Sequence, residues 1–231
     1  MTYVMSDLHG MYDKFIAMLQ KINFSDSDEL FIIGDIIDRG ERPVDILEYV
    51  MDKPNITVLL GNHEVMARDF LRRLTTEITD ENVTSFDDDF LIELALYKRN
   101  GGVPTMKQLR TLPTEKRQRI LDFIDSLYAY EAIDIGDKTF VLVHAGLGNF
   151  RKDKKISGYS LYELLELRPD YERQYFEDDS VYIVSGHTPT KLISGKWEIY
   201  HSHNNIVIDC GAAFGGKLAC LRLEDMAEFY V

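Results

Sequence analysis

Cysteine is scarce in this sequence. There are two in 231 residues, Cys210 and Cys220, and no CxxC pair. That excludes a disulfide scaffold and a cysteine-rich zinc fold, and it suits a reducing cytosol, so a cytoplasmic location is expected. Long apolar runs are also lacking. No stretch approaches 18 apolar residues, so no transmembrane helix is expected. The opening MTYVMSDLHG has no basic segment and meets Asp7 and His9 almost at once, which argues against a signal peptide. Positive charge is in deficit, with 26 Lys and Arg against 39 Asp and Glu, a formal net charge of −13. Such a surface repels nucleic-acid backbones and anionic membranes, so neither is an expected partner. An anionic substrate would need its own local positive charge, and bound metal ions are the simplest source.

At about 150 residues per domain, the chain is one large domain or one domain with an insert. Its length allows burial of roughly 70% of the unfolded surface, so no structural metal or disulfide is needed to hold it. The N-terminal third alternates strand and helix patterns. Residues 2–5, 30–33 and 56–60 read as strands. Tyr12, Phe15, Ile16, Leu19 and Ile22 have the spacing of one helix face, and Pro43 suits a first helical position ahead of Val44, Ile46, Leu47 and Val50. Such alternation implies parallel pairing with right-handed crossovers. Residues 64–127 show helical patterns and no convincing strand, and read as a helical insert within a single domain spanning 1–231. Residues 77–93 carry seven acidic and no basic side chains, a solvated loop or a specificity element near the site entrance. The last third turns to β, with strands expected at 128–133, 139–143, 181–184, 197–200, 206–208 and 218–223.

The polar residues that follow these strands are Ser6-Asp7-Leu8-His9-Gly10, Gly34-Asp35-Ile36-Ile37-Asp38-Arg39-Gly40, Gly61-Asn62-His63-Glu64, His144-Ala145-Gly146 and Gly186-His187-Thr188. Ligands of α/β sheets bind at the carboxyl ends of strands, and glycine there lets the backbone approach a ligand. Any one of these loops is weak: a lone histidine is usually a loop residue and Asp35 could be a helix cap. Five together point to a mixed carboxylate, imidazole and amide donor set. That set suits Mn2+ best, with Fe or Zn2+ as alternatives. Six donors exceed one tetrahedral site, and paired divalent ions are the usual device for phosphate-ester hydrolysis.

The blocks SDLHG, GDIIDRG, GNHE, HAG and GHT resemble, in order and spacing, the phosphoprotein phosphatase family of metallophosphatases within the calcineurin-like phosphoesterases. The Asp209-Cys-Gly-Ala-Ala-Phe-Gly-Gly segment resembles the bacterial and phage members. The resemblance implies an α/β metallophosphatase sandwich of two mixed β-sheets flanked by helices, with a helical cap insert. It implies that Asp7 and His9 hold a first metal, Asp35 bridges both, and Asn62, His144 and His187 complete the second. It makes His63 the general acid oriented by Asp38, and Arg39 a phosphate ligand. The second phosphate-binding arginine would be Arg168, with Arg173 as fallback. Two positions depart from the pattern: Ser6 replaces a glycine, and Leu60 stands where many members carry an arginine.

The implied activity is metal-dependent hydrolysis of a phosphomonoester through a metal-bridging hydroxide. A serine/threonine protein phosphatase is the first expectation. The alternatives are a symmetrical bis(5'-nucleosyl)-tetraphosphate hydrolase, for which the chain is short, and a phospho-binding pseudophosphatase. Expected partners are a phosphorylated protein or a small phosphoester. The oligomeric state is open, a monomer being compatible. His201 and His203 read as surface residues, Cys210 and Cys220 as buried small hydrophobes, and Met5, Met18, Met51 and Met66 as core filler.

Overall fold

Successive residues of the first strands face different hydrophobic clusters. Tyr3 and Met5 join one, while Val4 between them joins another; Leu30 and Ile32 alternate with Phe31 and Ile33 in the same way. This is the period-2 geometry of a strand buried on both faces. It explains why these segments are apolar throughout.

The computed structural model describes residues 1–77, 79 and 86–231. In chain order the elements are β1 (Thr2–Met5), α1 (Tyr12–Lys21), β2 (Glu29–Ile33), α2 (Pro43–Met51), β3 (Ile56–Leu59), α3 (Asn62–Thr75), α4 (Asp88–Arg99), α5 (Val103–Thr111), α6 (Thr114–Asp125), β4 (Tyr130–Ile135) and β5 (Lys138–Val143). They continue as α7 (Leu161–Leu165), β6 (Val181–Ser185), α8 (Thr190–Ser194), β7 (Tyr200–Ser202), β8 (Asn205–Val207), β9 (Ala219–Arg222) and β10 (Ala227–Tyr230).

Two five-stranded mixed sheets result, ordered β10-β9-β1-β2-β3 and β4-β5-β6-β8-β7. β1, β2 and β3 are parallel, as are β5, β6 and β8. The α/β sandwich expected from the motifs is therefore the fold. The sheets meet through Val4, Phe31, Ile33 and Leu59 on one side and Phe140, Leu142, Val184 and Ile206 on the other. The outer face of the first sheet is covered by α1, α2 and the helices between β3 and β4, which share one core through Phe15, Leu47, Phe70, Tyr97, Met106, Leu109 and Ile124. Burying each such side chain contributes about 1.5–3 kcal/mol.

Pro43 does open α2, where its missing N–H costs nothing. Three elements depart from expectation by more than one residue. β4 starts at Tyr130 because the Tyr128 carbonyl instead accepts the Leu60 N–H, at 2.7 Å. β7 starts at Tyr200, leaving Trp197 in irregular chain after α8. β10 was not expected; it is a short edge strand pairing antiparallel with β9. Of the acidic stretch, residues 78 and 80–85 lie outside the described residues. Within the rest, Asp87 caps α4 by accepting the Phe90 N–H (3.1 Å), and Glu93 pairs with Arg73 (2.7 Å). No helix among the described residues is long and apolar enough to cross a membrane.

Candidate metal centre

Parallel pairing aligns the carboxyl ends of six strands, and the loops that leave them meet at one edge of the sandwich. Asp7 and His9 follow β1, Asp35 to Arg39 follow β2, and Asn62 and His63 open α3 just after β3. His144 follows β5, His187 follows β6, and Asp209 follows β8. The loops are wound tightly. Asp7, His9, Asp35, Asp38, Arg39 and His187 have φ of 52°, 42°, 55°, 71°, 64° and 62°, six of the ten non-glycine residues with positive φ among those described. Left-handed backbone at such residues costs about 1–3 kcal/mol each and persists only where the surroundings enforce it.

The enforcement is visible. The His9 and Gly10 N–H groups donate to the carbonyls of Asp35 and Ile36, both at 2.8 Å, and the Arg39 N–H donates to the Gly101 carbonyl (2.8 Å). The fully buried carboxylate of Glu64 accepts four backbone N–H groups, from Asp35 (2.8 Å), Ile36 (2.9 Å), Ile37 (3.3 Å) and Gly61 (3.0 Å). It ties the loop after β2 to the first turn of α3.

Asp35 sits at the centre of the donors. It is grouped with His9 and His63 on one side and with His144 and His187 on the other. One of its carboxylate oxygens, Oδ2, lies 3.4 Å from His9 Nε2 and 3.9 Å from His63 Nε2; the other, Oδ1, lies 3.5 Å from His144 Nε2. Asp7 Oδ1 is 3.8 Å from His9 Nε2. The Asn62 side-chain oxygen lies 3.0 Å from His144 Nε2 and 3.1 Å from His187 Nδ1.

Each of three imidazoles is aimed by a backbone carbonyl. His9 Nδ1 meets Ile37 O (2.9 Å), His144 Nδ1 meets Ile33 O (2.9 Å) and His187 Nε2 meets Glu166 O (3.1 Å). A carbonyl can only accept, so each of those ring nitrogens carries the proton and the opposite nitrogen presents a lone pair to the centre. Burial, reinforced by Arg39, holds the His9 pKa well below its usual value, and burial with His144 brings His187 down to about 4. Neutral imidazole is the form that binds metal.

The carboxylates show the opposite imbalance. Burial pushes Asp35 well above the usual carboxylate range, with Asp7 and Glu64 adding to the shift. Asp209, also buried, is raised by burial and by Asp7. Clustered buried carboxylates with too little positive charge nearby are costly unless paired or metal-bound. This donor set therefore fits divalent cations.

His63 has a different setting. Its Nδ1 donates to Asp38 at 2.7 Å, and its Nε2 lies 2.9 Å from an Arg39 terminal nitrogen. Burial lowers its pKa, but the Asp35 charge and the Asp38 hydrogen bond outweigh it, and the net shift is upward. Asp38 is itself fixed by the hydroxyls of Tyr97 and Thr105, each donating at 2.6 Å. The Arg39 guanidinium also touches His9 Nε2.

A cavity of about 350 Å³ opens over this centre and is lined by Asp35, Arg39, Asn62, Arg168 and His187. Arg168 Nε donates to the Thr188 hydroxyl (3.1 Å), which also accepts from Tyr171 (2.7 Å). Arg173 lies instead over the Phe150 ring, 5.0 Å from its centroid, outside the cavity lining. Of the two departures from the motif pattern, the Ser6 hydroxyl donates to Asp7 and is covered by Gly186, where an added Cβ would overlap both side chains. Leu60 is buried in the third hydrophobic cluster. His201 and His203 are exposed, His201 pairing with Glu228 at 2.7 Å. Both cysteines are buried.

Sequence reasoning left Glu64, Tyr97, Thr105, Thr188, Tyr171 and Asp209 without roles. Glu64, Thr188 and Asp209 each lay inside a quoted motif. Tyr97 and Thr105 sit in helical segments with no local signal.

Residues 2–220 match the calcineurin-like phosphoesterase family, and the chain belongs to it. It is thus a metallophosphoesterase, of a family that uses two divalent metal ions. Among curated relatives it is 28% identical to an asymmetrical bis(5'-nucleosyl)-tetraphosphatase PrpE of Bacillus cereus, over 96% of this chain and 90% of that one. Among solved structures, a provisionally assigned diadenosine tetraphosphatase aligns with TM-score 0.66 at 14% identity, covering 100% of this chain and 92% of the other. A serine/threonine phosphatase from Saccharomyces cerevisiae aligns with TM-score 0.61 at 13% identity, covering 95% and 71%. At these identities the structural matches speak for the fold.

Proposed function

We propose that this protein is a metal-dependent hydrolase of dinucleoside polyphosphates, built on the phosphoprotein phosphatase type of site. The observation that carries the hydrolase reading is one cavity that brings Asp35, Asn62 and His187 of the donor set together with Arg39 and Arg168, while the Asp38-bound His63 meets Arg39 at 2.9 Å. Asp7 and His9 would hold one ion, Asn62, His144 and His187 the other, with Asp35 shared between them. Bound there, two divalent ions supply positive charge to phosphoryl oxygens and a water of lowered pKa. Manganese suits the oxygen-rich set.

The chain's own groups do the rest. Arg39 and Arg168 offer planar, charged donors to the phosphate oxygens. His63 keeps Nδ1–H on Asp38, so its Nε2 is the atom that gives a proton to a departing oxygen. The rise in its pKa favours the form able to do so.

Substrate class is supported by the PrpE relatives, which match over 90% of their own length, so length does not count against this reading. The second reading is a serine/threonine protein phosphatase, favoured by the intact GDIIDRG and GNHE blocks. The test is one panel on the purified Mn2+-loaded protein: diadenosine tetraphosphate, phosphoserine and phosphotyrosine peptides, and p-nitrophenyl phosphate. The highest kcat/KM should fall on diadenosine tetraphosphate. A higher value on the phosphoserine peptide would make the second reading the correct one.

A further inference from the structure

The far wall of the same cavity is chemically different from its floor. It is formed by Lys191, Leu192, Trp197 and Phe214. Leu192 is 70% exposed and Phe214 53% exposed. Large apolar side chains left open on the wall of a polar site are an informative exception to their normal burial. Trp197 is backed by Gly211 and Gly216, where an added Cβ would crowd the indole, so the ring is seated directly against the chain. Each aromatic ring carries one cation: Lys191 Nζ lies 5.0 Å from the Trp197 centroid, and the Arg39 guanidinium 4.8 Å from that of Phe214. Flat apolar surfaces and cations, continuous with a phosphate-binding centre, match the chemistry of a nucleoside phosphate: a base that stacks and a phosphate chain that needs positive charge.

We infer that Trp197 and Phe214 form a base-stacking subsite, with Lys191 serving the phosphate chain, and that this subsite selects the phosphate to be cleaved. The inference rests on the dinucleoside polyphosphate reading above. At about 350 Å³ the cavity lies near the small end of the usual range for ligand pockets, roughly 300–1,000 Å³. It has room for one nucleoside monophosphate unit. With the base on the aromatic wall, the phosphate that reaches the donor centre is the one attached to that nucleoside. Water then forms the new bond to the α-phosphorus, and the bond from that phosphorus to the α,β-bridging oxygen breaks. The departing oxygen keeps that bond's electron pair and takes the His63 Nε2 proton, and the water's surplus proton restores His63. Diadenosine tetraphosphate gives AMP and ATP, an asymmetrical cleavage such as the name of the PrpE relatives records, with the oxygen from water residing in AMP.

Trp197 is the chain's single tryptophan, so its fluorescence reports the subsite directly. The probes are AMP, ribose 5-phosphate, inorganic phosphate and phenyl phosphate, titrated into the protein at fixed saturating Mn2+. AMP should quench, and the two probes without an aromatic ring should not. Trp197→Ala should raise KM for diadenosine tetraphosphate by about 5- to 150-fold, the range for losing one stacked base, and Trp197→Phe should recover most of it. Hydrolysis in 18O-water should label AMP alone.

Several results would overturn the inference. Hydrolysis of diadenosine tetraphosphate without quenching by AMP removes the subsite and leaves the substrate reading intact. Quenching by AMP without such hydrolysis supports the subsite and removes the substrate reading. Phenyl phosphate quenching as strongly as AMP would reassign the wall to a phosphotyrosine-like ring. Two ADP as products would refute the selection of the α-phosphate.

Discussion

The four hydrogen bonds accepted by Glu64 are the most direct target for a stability measurement. Oε2 receives the N–H groups of Asp35 and Gly61, and Oε1 those of Ile36 and Ile37. Glu64→Gln preserves shape but replaces one oxygen with an NH2 group that cannot accept. Whichever way the amide turns, two backbone N–H groups lose their acceptor and face another donor in a site with no access to water. Hydrogen bonds to charged groups are worth about 1.5–3 kcal/mol each, so the loss is about 3–6 kcal/mol. For a chain of this size each kcal/mol lowers Tm by about 2–4 °C, which puts the expected drop at about 6–24 °C. The assay is thermal unfolding of the metal-free protein followed by circular dichroism, parent and variant side by side. Metal affinity should fall as well, because the tied loop carries Asp35. A Tm within about 2 °C of the parent would refute the reasoning, and would mean that the cross-loop backbone bonds hold the left-handed residues unaided.

Other perturbations separate the remaining roles. Asp35→Asn should cost occupancy at both metal positions, read by elemental analysis after dialysis; two ions retained per chain would remove Asp35 from the shared position. His63→Asn should slow whatever hydrolysis of a phosphoserine peptide the parent protein shows by about 10²–10⁴-fold. It should slow p-nitrophenyl phosphate much less, since that leaving group departs without a proton, and metal content should hold; equal losses with one ion missing would make His63 a ligand. Gly61→Ala should lower both Tm and metal content, since its Cβ would overlap the backbone and carboxylate of Asp35. Gly136→Ala, in the open turn between β4 and β5, should cost only the roughly 1–2 kcal/mol of left-handed backbone. Similar losses from the two glycine variants would show that the Asp35 loop yields to accommodate a methyl group.

Much of this protein was legible in its sequence because the information was local. Apolar runs of four to six residues gave the inner strands, and helix-face spacing gave α1 and α2. The donor loops could be found because parallel strands place the segments after them at one edge, so residue types following strands were sufficient. What the sequence could not supply was contact between segments remote along the chain. Tyr97 and Thr105 hold Asp38 from helices 59 and 67 residues further on, and nothing in their own neighbourhoods sets them apart. The choice of Arg168 over Arg173 for the cavity depended on which guanidinium the fold turned inward. Trp197 looked like a strand residue by composition; only packing against Gly211 and Gly216 carried it to the cavity wall. The sequence by itself determined which atoms could bind metal and phosphate, since that is a property of side-chain type. Tertiary structure decided which of them share a cavity and what else lines it, because proximity between distant segments is set by the packing of two sheets and their helices.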